Sequence, residues 1–269
     1  MIDKPTIKEL GLDLLVLNKW QLFLTLFQPL FFFVLYFILA FQDHLFLAPI
    51  SLIIMSYFTY GSTSHDLVHR NLGLSKNLND FLLTFMEMIS LRSGHAYKLS
   101  HLNHHKIFPH EDDIEGKASG MSFFRSLIEG LTFQIKIVSW ALKNNNRKYR
   151  NRIIFEVCAV ISIIISAIII LPYTEVLLIY VVLMIMGSWI IPLVTSYFVH
   201  NPFASHELLQ TRLFRGRLYS LLSFEHLFHL EHHLYPMVPH KNWPVLAKRL
   251  DPFFKANKIK PDYFLGMRD

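Results

Sequence analysis

The chain has 269 residues, of which 52% are hydrophobic, 14% aromatic and only 17% charged, with a formal net charge of +6. Soluble domains carry about 25% charged residues, so this chain is short of surface, and 24 Phe against ten Gly exclude disorder and collagen. A lone cysteine, Cys158, excludes an intramolecular disulfide framework and any Cys-based zinc site or iron–sulfur cluster within one chain. In so apolar a chain the positive charge points to anionic lipid or an acidic protein partner rather than to nucleic acid.

A hydrocarbon core about 30 Å thick needs about 20 apolar helical residues to cross it. The segment before Trp20 is mixed in charge and lacks a signal-peptide cleavage pattern, so it reads as uncleaved. Four stretches then approach spanning length, at residues 21–41, 45–61, 153–171 and 176–199. The second is the shortest. Gln42, Asp43 and His44 separate the first two, and Pro172 to Glu175 separate the last two, which makes two transmembrane hairpins. Between the hairpins, Leu78 to Leu91 is too short to span and suits an interfacial or re-entrant helix around Glu87. Phe124, Ile128, Leu131, Ile135 and Val138 recur at helical spacing while Arg125, Glu129, Thr132 and Lys136 take another face. This predicts a helix lying in the headgroup plane, ended by Asn144, Asn145 and Asn146.

All 26 Lys and Arg precede residue 21, lie between residues 66 and 152, or follow His200, and neither hairpin tip carries one. The positive-inside rule therefore places both termini and both long polar stretches in the cytoplasm. The expected fold is all-α: a four-span helical membrane protein, one domain over residues 1–269, with a cytoplasmic helical cap built from 62–152 and 200–269.

The fifteen histidines carry the chemistry. Three clusters stand out in the cap: His65 and His69; His101, His104 and His105; and His229, His232 and His233. Positions i, i+3 and i+4 of a helix share one face, so each cluster can aim two or three imidazoles at a common point. Eight exceed the needs of one zinc, which takes about four ligands, and suit two transition-metal ions. Imidazole alone does not choose the metal. A single such pair is common on amphipathic helices, but three ordered clusters on one membrane face are not.

The three boxes, their order and the four-span topology resemble the membrane fatty acid desaturase superfamily, which includes acyl-lipid and sphingolipid desaturases and carotenoid hydroxylases and ketolases. The likeness runs from about residue 45 to 250 and extends to Tyr235, Pro236, Pro239 and Pro244 after the third box. It implies that His65, His69, His101, His104, His105, His229, His232 and His233 ligate two non-haem irons, with O2 as co-substrate. His200, at the end of the fourth span and followed by Asn201, Pro202 and Phe203, is similar to a family segment that supplies a ninth ligand. His226 is the weaker candidate for that role. His44 lies on the opposite face, and His95, His110, His206 and His240 lack ligand spacing and read as surface or supporting groups. Asp66, Asp112, Asp113, Glu225 and Glu231 are candidates to accept the second N–H of a ligating ring, although Ile114 stands where many relatives have proline.

The resemblance implies oxidation of an unactivated C–H bond of a lipid. Three residues inside the first box, a third box opening on His229 rather than Gln, and the long interval from His69 to His101 disfavour acyl-CoA, front-end and sterol-type branches. An acyl-lipid desaturase is the preferred reading and a carotenoid ring hydroxylase or ketolase the alternative. From another class, a histidine-rich metal transporter or membrane haem protein fits less well, because the spans carry almost no ionisable groups. No His-Pro-Gly-Gly motif occurs, which calls for a separate electron donor, a ferredoxin or cytochrome b5-like protein. Arg212, Arg215 and Arg217 are the expected docking patch for it.

Overall fold

The computed structural model describes residues 3–44, 46–216, 223 and 226–263, and among them every regular element is helical. Two isolated bridges, His200 with Thr211 and Phe214 with Asp262, are the only strand-like pairings of the described residues. A short helix α1 (Ile7–Leu10) precedes α2 (Lys19–Phe41). Asn18 starts α2 as a capping box, its side chain accepting from Gln21 N while the Gln21 side chain accepts from Asn18 N. After a tight turn, α3 (Leu47–Tyr57) runs into a π-helical segment, Phe58–Thr63, and on into α4 (Ser64–His69).

Three helical stretches are long and apolar enough to cross a membrane: Leu12–Phe41, Arg147–Ile170 and Val176–Tyr197. They make this a membrane protein. The second predicted span is not among them, because its α-helical part is only 11 residues. The cause lies in the sequence that follows, where Thr59, Ser62, Thr63 and Ser64 bring hydroxyls in place of apolar side chains. One of these, Thr59, returns its hydroxyl to Met55 O at 2.7 Å. Such back-bonding bends helices and suits a widened turn.

Beyond α4 come α5 (Lys76–Met88), α6 (Gly94–Ile107), α7 (Phe123–Lys143), α8 (Arg147–Ile170) and α9 (Val176–Trp189). A second π-helical segment, Leu193–Tyr197, precedes α10 (Glu207–Gln210), α11 (His229–Leu234) and α12 (Trp243–Ala256). The asparagine run ends α7 as expected, and Asn146 caps α8 by accepting from Lys148 N and Tyr149 N. The apolar face expected on α7 points outward, with Phe124, Ile128, Leu131 and Ile135 exposed, and a second stripe, Phe133, Ile137 and Ala141, faces the interior. Exposed Phe23, Phe27 and Phe31 on α2 and Ile154, Ile161 and Ile165 on α8 are the lipid-facing counterparts.

Three apolar clusters form the interior. One joins α2, α3 and α9 through Tyr36, Met55 and Met184. A second surrounds α4 to α8, and the third packs Leu10 and Leu14 against α11 and α12. Polar ties then fix α6. Glu156 of α8, fully buried, accepts from Thr84 Oγ1 at 2.7 Å, Ser93 Oγ at 2.6 Å and the backbone N of His95 at 3.1 Å, and lies 2.6 Å from His95 Nδ1. Asp80 of α5 pairs with Lys98 at 3.0 Å and Arg152 at 3.2 Å. An unpaired buried carboxylate costs several kcal/mol, so these acids hold α5, α6 and α8 in one arrangement.

Gly130 lets α7 lie against the backbone of α9: a Cβ there would sit 1.7 Å from Trp189 O. Gly130→Val is expected to destabilise the protein by about 1–3 kcal/mol through overpacking. Gly187→Ala, whose new Cβ meets only Ser56 Oγ at 3.8 Å, should leave the denaturation midpoint in detergent unchanged.

Candidate metal centre

The nine predicted ligand histidines converge as two groups. His65, His69, His101, His105 and His232 form the first, and His104, His200, His229 and His233 the second. The sorting follows helix geometry. Pairs four apart go to the same group: His65 with His69 on α4, His101 with His105 on α6, His229 with His233 on α11. Neighbours in sequence point about 100° apart on a helix, so His104 and His105 divide between the groups, as do His232 and His233.

In the first group four Nε2 atoms close a ring. The edges are His65–His232 at 3.0 Å, His232–His105 at 2.8 Å, His105–His101 at 3.1 Å and His101–His65 at 3.1 Å. A square of such edges has its centre about 2.1 Å from each corner, the length of a metal–imidazole bond. The His69 ring stands over the four, its centroid 4.8 to 5.0 Å from each of theirs. In the second group the Nε2 atoms of His200, His229 and His233 make a triangle with edges of 3.0 to 3.2 Å, and His104 Nε2 lies 3.2 Å from that of His200.

Hydrogen bonds among the rings account for only part of this arrangement. A ring nitrogen that carries hydrogen has no lone pair left to accept with, so at most two of the four edges can be hydrogen bonds at once. Protonation does not rescue it. Burial, reinforced by repulsion from neighbouring rings, holds His65, His101, His105, His200, His232 and His233 well below the ordinary histidine value. Burial brings His69 down to about 4 and His229 to about 3. Neutral rings with converging lone pairs are the form a transition metal binds. His69 Nε2 is moreover buried without a hydrogen-bond partner. The residues present fit two metal ions.

Two carboxylates orient rings from behind. Asp113 Oδ2 lies 2.6 Å from His104 Nδ1, and its Oδ1 accepts from Glu115 N and Gly116 N. Glu115 Oε1 lies 2.8 Å from His101 Nδ1. Glu115 escaped the sequence reading because it is fourteen residues from His101; its only signal was position two after Asp113, on the turn that brings both acids back to α6. Three other candidates differ from expectation. Asp66 accepts from the backbone N of His240 at 2.9 Å and ties α4 to the C-terminal region, with burial raising its carboxyl to about 7. Asp112 is exposed and pairs with His110 at 3.4 Å, since the turn aims it outward. Glu231 is fully buried but meets Arg215 at 2.6 Å, because it lies on the face of α11 away from the three ligand rings. Glu225 lies outside the described residues.

Arg215 is thereby corrected too. It is committed inward to Glu231 and Asp251 rather than free for docking, and Arg217 lies outside the described residues. His95 and His240 are buried, not surface groups: His95 is locked to Glu156, and His240 Nδ1 lies 3.1 Å from Ser62 Oγ. His226 joins neither group; its ring lies by Tyr57 and His240.

Fold and site together define a helical membrane protein with two adjacent polyhistidine groups, each able to hold a metal ion. The family model for fatty acid desaturase matches residues 43–263, and the chain belongs to that family, whose members are desaturase-type oxidoreductases. A comparison with curated proteins gave no match.

Two outcomes follow for the site. Glu115→Gln should weaken metal binding about 10–100-fold in a chelator competition that Asp112→Asn leaves unchanged. His200→Ala should empty the second group, whereas His226→Ala retains full metal content; the reverse pattern would move the ninth ligand to His226.

Proposed function

We propose that the protein holds two non-haem irons and uses O2 to introduce a double bond into the acyl chain of a membrane lipid. One observation carries this reading. An apolar cleft of about 170 Å³ runs between α3 and α9 and ends on His65 and His101 of the first group and His104 and His229 of the second. An extended hydrocarbon in it would lie against both metal positions at once.

The chain's own residues then do three things. Isoleucine and valine side chains of the cleft bind methylenes and exclude water. Glu115 and Asp113 hold the Nδ1–H of His101 and His104, which directs the Nε2 lone pairs inward. Buried Trp243 packs on His65 and His232 and fixes their planes. When bound, the irons supply the means to use O2 against an unactivated C–H bond. The net change takes two hydrogens from adjacent carbons and, with two electrons and two protons from outside, reduces O2 to two waters.

In this reading α3, continued through Phe58–Thr63, makes the fourth crossing, and the histidines share the cytoplasmic face with the Lys and Arg residues. The electrons come from a separate acidic carrier drawn to that basic face. Neither a transporter nor a haem protein needs an apolar cleft ending on paired polyhistidine groups.

Protein prepared with iron should carry one ion per group, and His104→Ala or His232→Ala should lower that content and abolish turnover. Zinc-loaded protein should be inactive. Expression in a host lacking such products, followed by lipid and pigment mass spectrometry, should show a new unsaturated acyl lipid. An oxygenated carotenoid with unchanged acyl chains would replace the acyl reading.

A further inference from the structure

Before α2 begins, residues 4–16 run across the two helices from the other end of the chain. Leu10 and Leu14, both buried, share one apolar cluster with Leu230 and Leu234 of α11 and Leu246 and Leu250 of α12. Polar contacts pin the segment along its length. Lys4 donates to Leu234 O at 3.0 Å, at the end of α11, and Asn242 donates to Leu14 O at 2.9 Å and Val16 O at 3.2 Å. Between these, Arg249 donates to Leu10 O at 2.6 Å and grips Asp13 with two hydrogen bonds of 2.8 and 2.7 Å. Gly11 leaves room for that grip: its φ is +113°, and a Cβ there would lie 2.2 Å from Arg249 Nη1.

The helix held in this way contributes unequally to the two histidine groups. His232 is one of five rings in the first, whereas His229 and His233 are two of the four in the second. If α11 lifted, the first group would keep His65, His69, His101 and His105, enough imidazoles for a transition-metal ion, while the second would keep only His104 and His200. We propose that residues 4–16 are a strap that selectively retains the metal ion of the second group, with Asp13 and Arg249 as its clasp. The first group then fills independently of the strap, and the second fills only once the strap is fastened. Asp13 and Arg249 are positioning residues, acting on the metal through α11. The proposal rests on reading both groups as metal sites but not on the reaction, so its test needs neither O2 nor a lipid substrate.

Full-length protein in detergent, loaded with zinc and mixed with an excess of a chromogenic chelator, should release two ions per chain. Arg249→Ala should speed the release of one ion about 5–10-fold, as suits the loss of an exposed ion pair together with a charged hydrogen bond. The other ion should leave at the parent rate. Gly11→Ala, which pushes the guanidinium aside without removing it, should act in the same way. With His200→Ala only the first group is filled, and adding Arg249→Ala should no longer change the rate. Lys136→Ala, which breaks a pair with Glu129 on α7, should alter neither ion. Equal acceleration of both ions marks general destabilisation and overturns the proposal, as does parental release in both Arg249→Ala and Gly11→Ala. Acceleration that persists beside His200→Ala overturns it too, because the strap would then act on the first group. A parent that holds fewer than two zinc ions removes the two-site reading itself, a failure distinct from that of the strap.

Discussion

Nine imidazoles converging in two groups are the constraint on which the rest of this molecule depends. Hydrogen bonds can join only some of the neighbouring rings, and burial removes much of the water that would otherwise satisfy the rest. The scaffold must therefore hold them in place from outside. It does so with buried acids placed one layer back: Glu156 and Asp80 fix the helices around α6, Asp66 joins α4 to the C-terminal region, and Glu231 anchors α11 to Arg215. Glu156, Asp80 and Glu231 are expensive to bury alone and meet a partner where they stand, so each defines one relative placement of two elements.

The parts legible in the sequence were those governed by short-range periodicity. Spacings of three and four marked the histidines that share a helix face, and the doublets His104–His105 and His232–His233 already held the instruction for two metal positions rather than one. Three of the four expected spans, the amphipathic α7 and the asparagine stop followed from composition along a single helix. Long-range partners were hidden. Nothing near Glu231 in the sequence indicates that Arg215 will neutralise it, and nothing near His95 points to Glu156, sixty-one residues away. The widened turn at Phe58–Thr63 was hidden for a different reason: apolar windows register hydroxyl-rich residues as a weaker span, not as a change in helical geometry.

Both π-helical segments lie shortly before histidines of the two groups, Phe58–Thr63 before His65 and Leu193–Tyr197 before His200. A π turn adds a residue to the turn and widens it. Tyr60, Gly61, Val194 and Thr195, all within these segments, line the cleft. The same local departure thus re-aims the histidines beyond it and makes room for what they act on.

Tyr235 and Asn242 bind the backbone of Pro5 and Leu14, and Arg249 of α12 reaches Asp13 and Leu10 O. Residues about 230 positions apart in the sequence are thereby fastened together. The six-residue α11 is too short to be stable by itself, and it carries histidines of both groups. The contacts of α12 and its neighbours with residues 5–14 therefore reach beyond their own cluster, because neither histidine group is complete until α11 is seated.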